Sequence, residues 1–127
     1  MGEFAKIPNH PAVVALGEEV GLQQQVQNME NRVNARLRAM ADNQTARLSN
    51  SYCTTPHQTL TALVNSTTGE AIDNFPRTPR EIKQLNAAEV DRLLQALEKP
   101  IEGVIATRRT RLLLAVGVVR ELKMAAA

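Results

Sequence analysis

From Pro11 to Leu48 the chain contains no further proline, and through that stretch its apolar residues fall at helical spacing. Leu22, Val26, Met29, Val33, Leu37 and Met40 follow one another at steps of 4, 3, 4, 4 and 3, and Gln44 and Leu48 continue the line at steps of 4. An uninterrupted run with that periodicity predicts one long α-helix over residues 11–50, with Asn9-His10-Pro11 as its start. Gly17 and Gly21 each weaken a helix by about 1 kcal/mol relative to alanine, which leaves room for a break near 17–21. The intervening residues are mostly Gln, Asn, Arg, Glu and Ala. Two apolar positions in seven on a polar helix make a coiled-coil seam more than the broad face of a globular core. Such a helix is marginal alone in water, so the stripe needs a cover. Two covers are open at this point. One is another helix, from a second copy (a dimer first) or from a helical protein partner; the other is the chain's own C-terminal part, burying the same stripe in cis.

Composition narrows the rest. Of 127 residues only Phe4, Tyr52 and Phe75 are aromatic, and there is no Trp. A core must therefore be built from Leu, Val, Ile, Ala and Met, which argues against a β-sandwich and against an aromatic-lined substrate pocket. Net charge is +2, but it is graded: residues 1–76 carry five basic and seven acidic side chains, residues 77–127 ten and six. The single cysteine, Cys53, excludes an internal disulfide framework and suits a reducing compartment. No secretory leader is visible, and the apolar stretches Ala12–Leu16 and Leu112–Val119 fall far short of the ~20 residues a membrane span needs. The expectation is an intracellular protein, cytoplasmic or nuclear, with no membrane partner. Met1–Phe4 and Ala125–Ala127 read as vector-derived junctions, and residues 1–10 as an N-terminal arm or linker.

Residues 51–77 are a turn-rich connector. Leu60, Leu63 and Val64 precede the turn Asn65-Ser66-Thr67-Thr68-Gly69, and Ala71 and Ile72 follow it. The two sides either pair as a short β-hairpin with Gly69 in the left-handed position, or form an ordered loop whose Leu60, Leu63, Ile72 and Phe75 plug into a helical core. From residue 78 the local grammar is helical. Thr78-Pro79-Arg80-Glu81 is a capping box with proline at the first helical position, in which Glu81 reaches back to the N–H of Thr78. Asn86-Ala87-Ala88-Glu89 repeats it ahead of Val90, Leu93, Leu94 and Leu97. A third helix begins near Val104–Thr107 and contains Leu112, Leu113 and Val116. Gly117 either caps it or interrupts a helix that runs on through Val118–Met124. The expected fold is all-α, with at most one short hairpin: a long seam-bearing helix and a small three-helix unit over residues 78–124.

Chemistry is sparse. Cys53 and His57 stand four apart, but Pro56 lies inside that spacing and no orienting group accompanies them, so they make no nucleophile pair. One Cys and two His without CxxC or HxxxH make no metal site. No phosphate-binding glycine motif or nucleophile elbow is present. No catalytic residue and no cofactor is assigned. Asn43-Gln44-Thr45 and Asn65-Ser66-Thr67 match the glycosylation sequon by chance. Arg108, Arg109 and Arg111 form the one local basic cluster. At a helix N-terminal turn they oppose the helix dipole, so they either contact phosphate or an acidic partner, or lie on a solvated face paired with Glu98, Glu102 and Glu121.

The run Glu81-Ile82-Lys83, Val90-Asp91-Arg92-Leu93-Leu94-Gln95-Ala96-Leu97, Gly103 and Arg108-Arg109-Thr110-Arg111-Leu112 resembles a SAP-type helix–loop–helix module, over residues 78–117. That resemblance implies a DNA-binding module. The interval from Gly103 to the basic residues is longer than is usual there, and Ile105 stands where a basic residue is usual. The wider pattern of Ala46-Arg47, Asn50-Ser51, Thr68-Gly69-Glu70, Phe75-Pro76 and the arginine-rich last helix is similar to a module of uncharacterised filamentous-fungal proteins, and no activity comes with it. The expected function is non-enzymatic: protein–protein interaction and self-association through Leu22, Val26, Met29, Val33, Leu37 and Met40. The alternative is a weak nucleic-acid-binding module that uses the three arginines and is dimerised by the long helix.

Overall fold

The computed structural model describes residues 11–119, with side chains from Gly17 onward. The stretches read as junctions at both ends and the stretch from residue 120 to Met124 lie outside the described residues. Among the described residues four helices make an all-α fold: α1 (Pro11–Ser51), α2 (Pro79–Gln84), α3 (Ala87–Ala96) and α4 (Ile105–Val116). The chain divides into two units at Asn34–Ala35, with α1 beginning in the first and ending in the second. The compact unit therefore starts earlier than residue 78, and takes in the connector and the last part of α1.

The break allowed near 17–21 does not occur; α1 is continuous. An alanine Cβ built at either glycine meets nothing within 4 Å. These two residues lower local helix propensity without introducing any steric obstacle to the helical path.

In the second unit the core is aliphatic. Leu63, Ile82, Val90, Leu93, Leu94, Leu97, Leu112 and Val116 are buried, and Ile72, Phe75, Leu85 and Ile105 pack against them half-exposed. Burying a leucine or isoleucine side chain is worth about 1.5–3 kcal/mol, so these residues provide the main drive for the unit. The connector joins that core as a loop. Leu60 and Leu63 are buried, and the only strand-like pairing among the described residues is an isolated antiparallel bridge between Val64 and Ala71. Gly69 does take the left-handed conformation (φ 77°). A hairpin does not grow from it because Ser66 donates its N–H to Ala96 at the end of α3, and Leu60 to Arg77, so the two sides bond elsewhere.

The helix ends follow their capping residues, with one shift. Thr78 Oγ1 accepts from the N–H of Glu81, but Glu81 returns to the N–H of Arg77, not of Thr78. Asn86 and Glu89 form the complete reciprocal box at the start of α3. Gly117 (φ 104°) caps α4, and Val118 donates to Leu113 across the cap at 2.9 Å. The helix therefore stops at Val116 and does not continue through Val118 and Val119. A 6→1 bond closed over a left-handed glycine is the usual Schellman ending.

Candidate functional site

Helix α1 has two faces of different composition. In the compact unit its buried residues are Ala39, Asn43, Ala46 and Asn50, spaced 4, 3 and 4. At 100° per residue that line lies about 135° around the helix from Leu37, Met40, Gln44 and Leu48. The chain therefore packs its long helix through small and amide side chains, and leaves the large apolar ones outside. Leu37, Met40 and Leu48 are all more than half exposed in this unit. Within this unit, burial of the stripe in cis does not occur: the C-terminal part lies against a different face of the helix.

The two asparagines make that packing specific. Asn43 donates from Nδ2 to the Val64 carbonyl at 2.9 Å and accepts the Val64 N–H at 2.7 Å. One heptad on, Asn50 does the same to Thr61, donating at 2.9 Å and accepting at 2.7 Å, and its Nδ2 also reaches the Val116 carbonyl at 2.8 Å. Each amide stands in for a neighbouring strand along Thr61–Val64, satisfying backbone groups that a loop beside a core would otherwise leave unpaired. Sequence reasoning missed both residues. The available signal was their spacing of seven with Ala39 and Ala46, a second stripe of small residues beside the apolar one. Asn43, one of the two sequon asparagines, is 2 % exposed, so its amide is committed to the fold.

In the first unit α1 is a helix in water. Every described side chain from Gly17 to Asn34 is exposed. Leu22 is 61 % exposed, Val26 53 %, Met29 56 % and Val33 51 %. Two side-chain amide bonds at i, i+4, Gln24 to Asn28 and Gln27 to Asn31, support the polar side. Each such pair contributes a few tenths of a kcal/mol, too little to hold the segment alone.

The arginines of the cluster are half-buried and each is engaged within the unit. Arg108 forms an ion pair with Asp91 at 2.6 Å, with both side chains largely covered. Arg109 donates through Nε and Nη2 to the Leu85 carbonyl, at 3.0 and 2.7 Å. Arg111 donates from Nη1 to the carbonyls of Pro100 and Glu102, each at 2.8 Å. The acidic partners expected for a solvated face are not the ones used. Glu98 instead takes Arg36 in a forked pair at 2.6 and 3.1 Å and accepts from Thr67 at 2.6 Å, while Glu102 offers its backbone; Glu121 lies outside the described residues. Arg109 and Arg111 thus satisfy loop and helix-end carbonyls, and Arg108 is taken up by Asp91.

Elsewhere little is arranged for chemistry. Cys53 is buried and directs its thiol to the Thr55 carbonyl. A shallow hollow lined by Glu70, Asp73, Asn74 and Arg92 has its arginine engaged with the carbonyls of Asp73 and Asn74. Among the described residues no group of three or more His, Cys, Asp or Glu is placed to hold a metal ion, and no helix is long and apolar enough to cross a membrane.

No family model, curated protein or solved structure matches this chain.

Proposed function

We propose that the protein is a non-enzymatic interaction module that self-associates as a dimer through the apolar stripe of α1. The observation that carries this reading is the division of labour on that helix. The compact unit is completed through Ala39, Asn43, Ala46 and Asn50, so Leu22, Val26, Met29, Val33, Leu37 and Met40 have no role in it. A line of six large apolar side chains, each more than half exposed, supports a partner surface more readily than a solvated face. The alternative nucleic-acid reading draws less support, because Arg108, Arg109 and Arg111 donate to internal acceptors. A buried thiol suits a reducing compartment, and we place the protein inside the cell.

Gel filtration with light scattering on the chain and on Val33→Glu tests the reading. The chain should elute with the mass of two copies, and Val33→Glu with the mass of one. A wild-type chain of single-copy mass at concentrations up to about 100 μM, well above what a weak dimer requires, contradicts it.

A further inference from the structure

We infer that Thr67 is a phosphorylation site, and that a phosphate placed there takes Arg36 over from Glu98. Acidophilic protein kinases act on a serine or threonine that has a carboxylate three residues on. Thr67 has Glu70 at that distance, and Thr78 has Glu81; no other serine or threonine of the chain has such a partner. Thr78 is half-buried and its Oγ1 accepts the N–H of Glu81 as the cap of α2, so it is committed to the fold. Thr67 and Glu70 are both exposed. They stand on the turn that Asn65 closes, its Oδ1 accepting the N–H groups of Thr67 and Thr68.

The Thr67 hydroxyl already belongs to a line of contacts that ends on a cation. It donates to Glu98 Oε1 at 2.6 Å, and the same oxygen accepts from Arg36 Nη1 at 2.6 Å. Thr67 Oγ1 is therefore at most two hydrogen-bond lengths from the guanidinium. The oxygens of a phosphate ester extend about one such length beyond Oγ1, which brings them within bonding distance of Arg36. Lys99 is exposed and lines the same hollow as Arg36 and Glu98. A phosphate on Thr67 thus enters a place with two cations beside it.

Phosphorylation reverses the contact with Glu98. The hydroxyl oxygen attacks the γ-phosphorus of a nucleoside triphosphate bound to the kinase. The bond to the bridging oxygen breaks, the nucleoside diphosphate leaves, and the hydroxyl proton passes to the kinase. Thr67 then has no donor for Glu98 and sets a group of about −1.5 to −2 charge against its carboxylate. The Glu98 side chain is 43 % exposed, so water is open to it. The Arg36 fork now meets two carboxylate oxygens at 2.6 and 3.1 Å, and two phosphate oxygens satisfy it in the same way with a larger charge. The connector, tied to α1 through the Glu98 carboxylate, becomes tied to it directly.

Treating the intact chain with an acidophilic kinase and ATP, read by mass spectrometry, tests the site, with a peptide of residues 60–75 as reference. The chain should gain one phosphate, on Thr67. Thr67→Ala should abolish that uptake and Thr67→Ser should keep it. Uptake by the peptide and not by the intact chain would mean that the turn is closed to the kinase, and uptake by neither that the sequence is no substrate; either result overturns the site. Thermal melts then test the exchange of partners. Glu98→Gln should lower the melting temperature of the unmodified chain and leave that of the phosphorylated chain unchanged, whereas Arg36→Gln should lower both. Equal effects of Glu98→Gln on the two forms overturn the exchange.

Discussion

The side-chain amide of Asn43 bonds both backbone groups of Val64, accepting its N–H at 2.7 Å and donating to its carbonyl at 2.9 Å, in a site where the asparagine is 2 % exposed. This is how a polar residue on a long helix anchors a loop that has no strand beside it. Asn43→Ala would leave the N–H and carbonyl of Val64 short of partners, at a cost of about 2–3 kcal/mol to the compact unit. Asn43→Asp should be worse, since it keeps the acceptor but replaces the donor with a second oxygen facing the Val64 carbonyl. Urea melts of both variants check this. An Asn43→Asp midpoint at or above that of Asn43→Ala would show that the donor half of the clamp does not matter.

Gly117 and the two helix glycines should respond to alanine in opposite directions. At Gly117 the backbone is left-handed, and an added Cβ would fall 2.7 Å from the Cα of Arg47 and closer still to its carbonyl oxygen. Strain and collision with backbone add, so Gly117→Ala should destabilise the compact unit by about 2–4 kcal/mol. At Gly21 the surroundings are open and the helix is regular, so Gly21→Ala should increase helix content and leave the melting of the compact unit unchanged. Circular dichroism on both variants reads the two effects.

The arginine cluster should behave as part of the fold. Arg109→Lys keeps the charge but loses the two-pronged approach to the Leu85 carbonyl, and should lower stability by about 1 kcal/mol. Asp91→Asn should lower it by a comparable amount through Arg108. Thermal melts of both variants test this. Unchanged melting in both would return the cluster to the surface role that its sequence spacing allows.

Glu98 holds a left-handed conformation (φ 57°) at the end of α3, where glycine is the usual choice. Its carboxylate joins Arg36 of α1 to Thr67 of the connector. Glu98→Ala should therefore destabilise more than Glu98→Gly, by about 1 kcal/mol, since both lose the carboxylate and only glycine relieves the backbone. Equal melting of the two variants would show that the backbone position carries no strain.

Local chemistry explains which parts of this architecture were legible in the sequence. The capping residues Thr78 and Asn86 and the terminal Gly117 act on their own helix ends, so the starts of α2 and α3 and the end of α4 could be read from a few neighbouring residues. The long helix was legible from its lack of proline and its spacing. The face it packs through was not. Hydrophobicity points to Leu37 and Met40, whereas burial falls on Ala39, Asn43, Ala46 and Asn50, because close approach needs small side chains and the loop backbone needs amide partners. The partners of Arg108, Arg109 and Arg111 were equally hidden. Arg109 and Arg111 bind main-chain carbonyls, which every residue possesses and which only the tertiary fold places.

The central claim is that the exposed part of α1 is held by a second copy. Sedimentation equilibrium of the intact chain over a dilution series, with circular dichroism on the same samples, tests it most directly. The mass should fall from two copies to one on dilution, and part of the helical signal should fall with it, because the side chains of residues 17–34 are exposed and a polar helix of that kind is marginal alone in water. A single-copy mass at every concentration with an undiminished helical signal would contradict the account.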